Sequence, residues 1–402
     1  MHLVLFDSPG RQQLYPFTYT RPIADIRCGI FTMRERWERF LKSSESGTFT
    51  VAYLQEVFPC TSSDQYLLVH GGVFATNELA KAITALNSGE ALISEDRVIA
   101  ARIDGALPDF SEWQQAAAKL TPVNFSGTIK MLERPWDIFS FNDTAIREDF
   151  PIVRQQRNSA PIPDGVITKG ADIFIEDDAI LQPGVILNAQ DGPIYIGSKS
   201  EIMEVSMIRG PFVLCEKSVV KMGAKVYSGT TIGPGCKVGG EVNNVVFFAN
   251  SNKGHDGFLG NAVIGEWCNL GADTNCSNLK NNYDEVKVWD ESANKEVRTG
   301  LTFCGLLMGD HSKSGINTMF NTGTVAGVSC NIWGGGFPEK FIPSFSWGGQ
   351  GDTTTYQFEK AMDTAKRMMA RRGLTLSEAE IKMLHEVFIQ TEKSRRLPSG
   401  AI

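Results

Sequence analysis

Residues able to bind or transform a ligand fall in a few short stretches of this chain. The first is the turn Asp7-Ser8-Pro9-Gly10-Arg11, which follows the apolar run 2–6, with Arg21 ten residues further on. If residues 2–6 form a strand of a parallel sheet, this turn lies at its carboxyl end, where such sheets bind ligands. His70, beside Gly71 and Gly72, follows a second apolar run. Asp137, in Arg134-Pro135-Trp136-Asp137, suits either a metal ligand or the N-cap of a helix through Ile138 and Phe139. His255 and His311 stand in glycine-rich stretches of the second half. Eight cysteines are scattered without a CxxC pair, which reads as buried thiols in a reducing cytosol rather than disulfides or a metal site.

The N-terminal elements that must position the first group alternate. Strands are expected at residues 2–6, 49–54, 66–69, 91–94 and 98–103. Between them Met33, Trp37, Phe40 and Leu41 make one helical face, and Leu79, Ala82, Ile83 and Leu86 another, with Thr76 as N-cap. Such alternation predicts an α/β domain over 1–155 with a mostly parallel sheet. Arg34, Arg36 and Arg39 are expected on a solvated helix face.

The middle of the chain obeys a different rule. Ile196, Ile202, Ile208, Leu214, Val220, Val226, Ile232 and Val238 recur every six residues, each followed four positions later by Ser200, Ser206, Phe212, Ser218, Ala224, Thr230, Cys236 or Val242. Helices repeat near 3.6 and strands at two, so a period of six marks a parallel β-helix of hexapeptide repeats. Its aliphatic residues point inward and its small residues fit the corners. The frame extends over 160–340. It blurs near 245–252, resumes at Ile264 and Leu270, breaks at a polar insertion over 278–299, and returns from Met308 to Ile332. The tail, 350–397, reads as a helical hairpin with a Ser377/Glu380 capping box, expected to cover the last coil.

The 402 residues carry a net charge of −7, 42% hydrophobic and 21% charged residues, which argues against broad nucleic-acid binding. No apolar run reaches the length of a membrane span, and the start of the chain lacks a leader pattern, so a cytoplasmic location is expected.

Two segments give the chain a family likeness. The Gly10–Arg11 turn followed by Pro16-Phe17-Thr18-Tyr19-Thr20-Arg21-Pro22 resembles the opening of sugar-1-phosphate nucleotidyltransferases. Ser251-Asn252-Lys253-Gly254-His255, continuing to Asn269-Leu270-Gly271-Ala272-Asp273 and an Asn282-Tyr283-Asp284 loop, resembles the acetyltransferase half of the bifunctional N-acetylglucosamine-1-phosphate uridylyltransferase/glucosamine-1-phosphate acetyltransferase family. That resemblance implies a left-handed β-helix, a homotrimer with sites between adjacent prisms, and a nucleoside triphosphate and a sugar-1-phosphate as substrates. It implies Mg2+, with acetyl-CoA as acyl donor. By the same likeness Gly10 and Arg11 would hold nucleotide phosphates and Arg21 would meet transition-state charge. His255 would be the acyl-transfer base and Asn269 a sugar contact. Ala272, Gly309 and Asp310 would lie along acetyl-CoA, and His311 would be either a second base or a solvent-facing corner residue. The chain departs from the family at His70-Gly71-Gly72, where a Gly-Asp pair is usual, at Phe258 in place of a tyrosine, and at Glu216 in place of an arginine. These departures suit an alternative, a non-catalytic nucleotide-sugar-binding or assembly protein.

Overall fold

Strand β1 (His2–Phe6) forms because its alternate residues are buried from both sides, and it becomes the second strand of a six-stranded sheet. The computed structural model describes residues 1–351 and 353–395. In chain order the N-terminal elements are β1, α1 (Met33–Phe40), β2 (Gly47–Phe49), α2 (Ala52–Gln55), β3 (Gln65–His70), α3 (Asn77–Thr84), β4 (Glu90–Ser94), β5 (Arg97–Asp104), α4 (Trp113–Ala117), β6 (Thr121–Asn124) and α5 (Asp137–Gln156). The sheet order is β2-β1-β3-β5-β4-β6. β1 pairs in parallel with β2 and β3, whereas β5 runs antiparallel to both β3 and β4. β4 pairs in parallel with β6, so the sheet is mostly parallel as expected, with β5 alone reversed. β4 and β5 join through Glu95 and Asp96, both at positive φ (48° and 62°), the geometry of a tight hairpin turn. The strand expected at 49–54 ends at Phe49, and the chain turns at once into α2.

Local capping follows the sequence. Thr32 and Glu35 form a capping box on α1, and Thr76 accepts the amide of Leu79 at 3.1 Å to start α3. Arg36 does not face solvent as expected. It is 2% exposed and grips Asp149 of α5 through two hydrogen bonds of 3.0 and 2.8 Å. Arg34 is likewise paired, with Asp25 at 2.7 Å.

Beyond α5 the chain winds into a β-helix. Three six-residue segments make a coil, so Ile196 lies opposite Leu214 and Leu214 opposite Ile232 in parallel register. The eight aliphatic residues of the unbroken run are all 2% exposed or less. Each such side chain contributes about 1.5–3 kcal/mol by burial, and stacking shares that gain between coils. The corner residues are buried as well, and their hydroxyls have a task. Ser200 Oγ donates to the Gly197 carbonyl at 2.6 Å, and Ser218 Oγ to that of Gly233 at 2.7 Å. A corner leaves carbonyls without ladder partners, and a small hydroxyl both fits and satisfies them. All eight cysteines are free thiols, seven of them buried.

The polar insertion forms an antiparallel hairpin, Lys287–Asp290 with Lys295–Arg298, which folds back onto the N-terminal domain. There Asp290 pairs with Arg134 at 2.8 Å, and Glu291 accepts from the Tyr19 hydroxyl at 2.9 Å. Domain and solenoid share one core, in which Phe17, Ile138 and Phe139 pack with Val246, Phe248, Val263 and Leu307.

Helices α6 (Phe358–Ala370) and α7 (Glu378–Gln390) make the C-terminal hairpin, with the Ser377/Glu380 capping box in place. They touch the last coil at Phe345, whose ring lies 6.0 Å from Phe358 and 5.0 Å from Phe388, and extend beyond it. They pack on Tyr19, Leu54, Trp267, Val328 and Phe345, across the seam between domain and solenoid, because that is where their apolar faces find partners. Asp352, Arg396 and Leu397 of the expected hairpin segment lie outside the described residues.

Candidate functional site

Strand β1 sends its connection to one side of the sheet, to β2, while β3 lies on the other side, so the crevice at the ends of β1 and β3 is a topological switch point. A cavity of about 600 Å³ opens there. Its wall includes Phe6, Ser8, Pro9 and Gly10 from the first turn, His70 from the end of β3, Trp113 and Gln114 from α4, and Asp96, Arg97 and Glu133. Arg97 and Glu133 form an ion pair at its exposed rim. His70 is buried, and burial pulls its imidazole down to about 4, so the ring is neutral. Its Nδ1 accepts the amide of Gly72 at 3.1 Å, which leaves the proton on Nε2 as a fixed donor. The Phe6 ring meets His70 and Trp113 edge-on, each at 5.2 Å between centroids. The result is a half-apolar slot with a neutral donor and a backbone turn, suited to a planar ring with attached phosphates.

Of the residues singled out from sequence, Gly10 and His70 reach this cavity. Asp137 does not. It is the first residue of α5 rather than its N-cap, and its carboxylate turns back to accept the amides of Glu133 and Arg134 at 2.9 and 2.8 Å, bracing the loop that precedes the helix. Among the described residues no group of three or more His, Cys, Asp or Glu side chains could hold a metal ion.

A second opening lies along one corner of the β-helix, an exposed groove of about 710 Å³ lined by Lys221, Met222, Gly239, Gly240, Gly254, His255, Asp256, Ala272 and Asp273. His255 and Ala272 meet here. Asn269 lies on the adjoining face, where its Oδ1 accepts from Asn252 at 3.4 Å. Lys253, which sequence reasoning passed over, is 1% exposed beneath the groove, and burial pulls its ammonium down to about 8. Its signal was a charged residue in an inward position, hidden where the six-residue frame blurs.

These geometries can be set beside known proteins. Residues 3–158 match the family model for sugar nucleotidyl transferase. The N-terminal part of this chain is similar to that family. A bifunctional sugar-1-phosphate nucleotidylyltransferase/acetyltransferase of Sulfurisphaera tokodaii is 27% identical over 308 residues, covering 77% of this chain and 69% of that protein. A bifunctional protein GlmU of Methanocaldococcus jannaschii is 26% identical over 214 residues, covering 53% of this chain and 46% of that protein. An uncharacterized acetyltransferase, YaiX, of Escherichia coli is 26% identical over 162 residues, covering 40% of this chain and 70% of that protein. The chain thus spans less than half the length of the GlmU relative.

Within the N-terminal domain, the two arginines expected at the phosphates have structural partners instead. Arg11 is 3% exposed, donates to Asp7 at 3.1 Å and to the Thr18 carbonyl, and does not line the cavity. Asp7 in turn accepts from Ile23 N at 2.8 Å and Thr50 at 2.5 Å, so the pair organises the turn that carries Gly10. Arg21 points the other way. Its guanidinium enters the seam, paired with Asp310 and with Glu266 at 2.9 Å, over the Phe248 ring at 4.9 Å. Asp310 also accepts from Thr20 at 2.7 Å and from Glu266 N at 2.8 Å. Asp310, with Gly309 packed beneath Pro16, is therefore covered by the N-terminal domain, not laid open for acetyl-CoA. His311 shares this corner. It is buried, stacked on Trp267 at 6.4 Å and pulled down to about 3 by burial, so it is not solvent-facing, and it does not line the His255 groove.

Proposed function

We propose that this protein is a sugar-1-phosphate nucleotidyltransferase joined to an acyltransferase. One observation carries the reading: the domain of the matching family has an open, partly apolar cavity at its switch point, lined by the Gly10 turn and a neutral His70. A nucleoside triphosphate fits with its base in the aromatic slot and its phosphates at the turn, where backbone N–H groups meet anionic oxygens. The sugar-1-phosphate oxygen attacks the α-phosphorus and pyrophosphate leaves. Gly10 and His70 orient the substrate, while Arg11 holds the shape of the turn from behind. Mg2+ is part of this reading. Such an ion needs only one or two protein carboxylates beside substrate phosphates and water, and Asp96 and Glu133 on the cavity wall would supply them. When bound, it would offset the triphosphate charge.

The second half of the proposal places acyl transfer from acetyl-CoA in the His255 groove, with His255 taking the nucleophile's proton, Asn269 contacting the sugar and Ala272 lining the acyl path. The same corner of the β-helix carries Val205, Met222, Ile316 and Trp333, exposed by 60, 68, 72 and 49%. An exposed apolar edge of this kind supports self-association, which would place a neighbouring prism beside His255 in a homotrimer. Among the described residues no helix is long and apolar enough to cross a membrane.

The burial of Arg11 and Arg21 in structural pairs favours a second reading, in which the domain binds a nucleotide-sugar without turning it over. One experiment separates the two. The protein is incubated with sugar-1-phosphates, nucleoside triphosphates and Mg2+ while pyrophosphate is followed, and nucleotide-sugar binding is measured by calorimetry. Pyrophosphate release supports transfer; binding with no release for any pair leaves the second reading.

A further inference from the structure

The aliphatic stack inside the β-helix is interrupted beneath the His255 groove by a lysine. Strand Asn252–Lys253 sets Lys253 opposite Val238, and the next strand turns Leu270 inward at the same level of the frame. Leucine or valine would fill this place at no electrostatic cost, whereas taking an ammonium out of water costs several kcal/mol unless its donors are satisfied. They are satisfied by main chain alone: Nζ donates to the carbonyl oxygens of His255 at 2.8 Å, Asp256 at 3.2 Å and Gly239 at 3.3 Å. All three residues line the groove.

The turn they belong to is sterically tight. Gly257 has φ +112°, and a Cβ on Gly240 would stand 3.0 Å from the His255 carbonyl and 2.7 Å from that of Gly257. Asp273 N adds a bond to the Asp256 carbonyl at 3.0 Å from the next coil. The turn is thus held from its neighbour above and from the lysine inside.

We propose that Lys253 is a positioning residue, whose ammonium fixes from inside the coil the turn that presents His255 to the groove. The placement of the turn is a claim about geometry; its use in acyl transfer rests on the reading given above. Lys253→Met tests it, because methionine keeps the length and fills the core while removing the donor.

Two readouts apply to the full chain. In protein labelled with 13C-histidine, the His255 resonance, assigned through His255→Gln, is expected to shift or broaden in Lys253→Met while the other four histidines stay in place. The melting temperature is expected to hold or rise. With acetyl-CoA and an acceptor that supports turnover, kcat is expected to fall about tenfold or more with KM within about twofold, the pattern of a misplaced base. An unmoved His255 resonance together with a lowered melting temperature would make Lys253 a core filler and overturn the proposal. If Lys253→Met does not fold, Lys253→Gln, whose shorter amide reaches fewer carbonyls, must displace the same resonance, and failure to do so overturns it equally. Wild-type protein that never turns over acetyl-CoA removes the acyl-transfer reading, while the resonance comparison still decides the positioning.

Discussion

Replacing Arg21 by methionine deletes a guanidinium from the seam between domain and solenoid while keeping most of the stem over Phe248. Asp310 then loses its countercharge in a buried place. Removing one partner of a buried pair costs about 3–5 kcal/mol. Here the lower end applies, since Asp310 keeps its bonds from Thr20 at 2.7 Å and Glu266 N at 2.8 Å, and Glu266 is partly exposed. A loss of about 3 kcal/mol converts to a melting shift through the unfolding entropy of about 2.1 cal/mol/K per residue. If the chain melts as one unit, the shift is about 4 °C; if the N-terminal domain melts by itself, it is about 9 °C. Differential scanning calorimetry measures the shift and shows whether one transition or two is present. The double variant Arg21→Met/Asp310→Leu is expected to regain part of the loss, because no lone charge remains buried. A shift under about 1 °C for Arg21→Met would refute the structural role argued for this pair.

Three further outcomes are expected. His255→Ala lowers acetyl-CoA turnover about 10²–10⁴-fold, the usual contribution of a general base, with thermal stability unchanged because the side chain is exposed; stopped-time assays with calorimetry check both. His311, held neutral down to about pH 3 inside the fold, binds a proton more readily once unfolded, so its share of stability is complete above about pH 6.5 and is lost as pH falls toward 3. Glu291, pushed up to about 7 by burial, works in the opposite sense over its own range, so the comparison is made between wild type and His311→Asn, whose acid unfolding limb is expected to be flatter by about 3–5 kcal/mol at pH 3. Ile232→Ala, which opens a void in the β-helix, costs about 2–5 kcal/mol, whereas Met222→Ala on the exposed edge leaves monomer stability nearly unchanged and weakens self-association measured by analytical ultracentrifugation.

The solenoid was legible because its rule is local and strict: Ile196 to Val238 never slip, and each inward residue repeats the same steric demand. The caps at Thr76 and Ser377 were legible for the same reason, since partner and donor lie within four residues. The fates of the arginines were not. Arg36 meets Asp149 and Arg21 meets Asp310, partners more than a hundred residues away, and nothing near Arg36 or Arg21 announces them. The reversed direction of β5 was missed because Glu95 and Asp96 take positive φ without the glycine or asparagine that usually marks such a turn. Of the candidate site, the Gly10 turn and His255 could be placed in advance. The cavity wall contributed by Trp113, Arg97 and Glu133 could not, because it is assembled from separate elements by the sheet order.

The core shared by Phe17, Ile138 and Phe139 with Val246, Phe248, Val263 and Leu307 bears on how the protein can be cut and recombined. A linker between independent modules tolerates exchange, but here each half carries part of the other's interior. Separating the halves near residue 158 would lay bare an oily strip on both pieces. Grafting this solenoid onto a different transferase would therefore require recarving its flank, so the two halves are bound to change together, as facing surfaces, rather than as interchangeable parts.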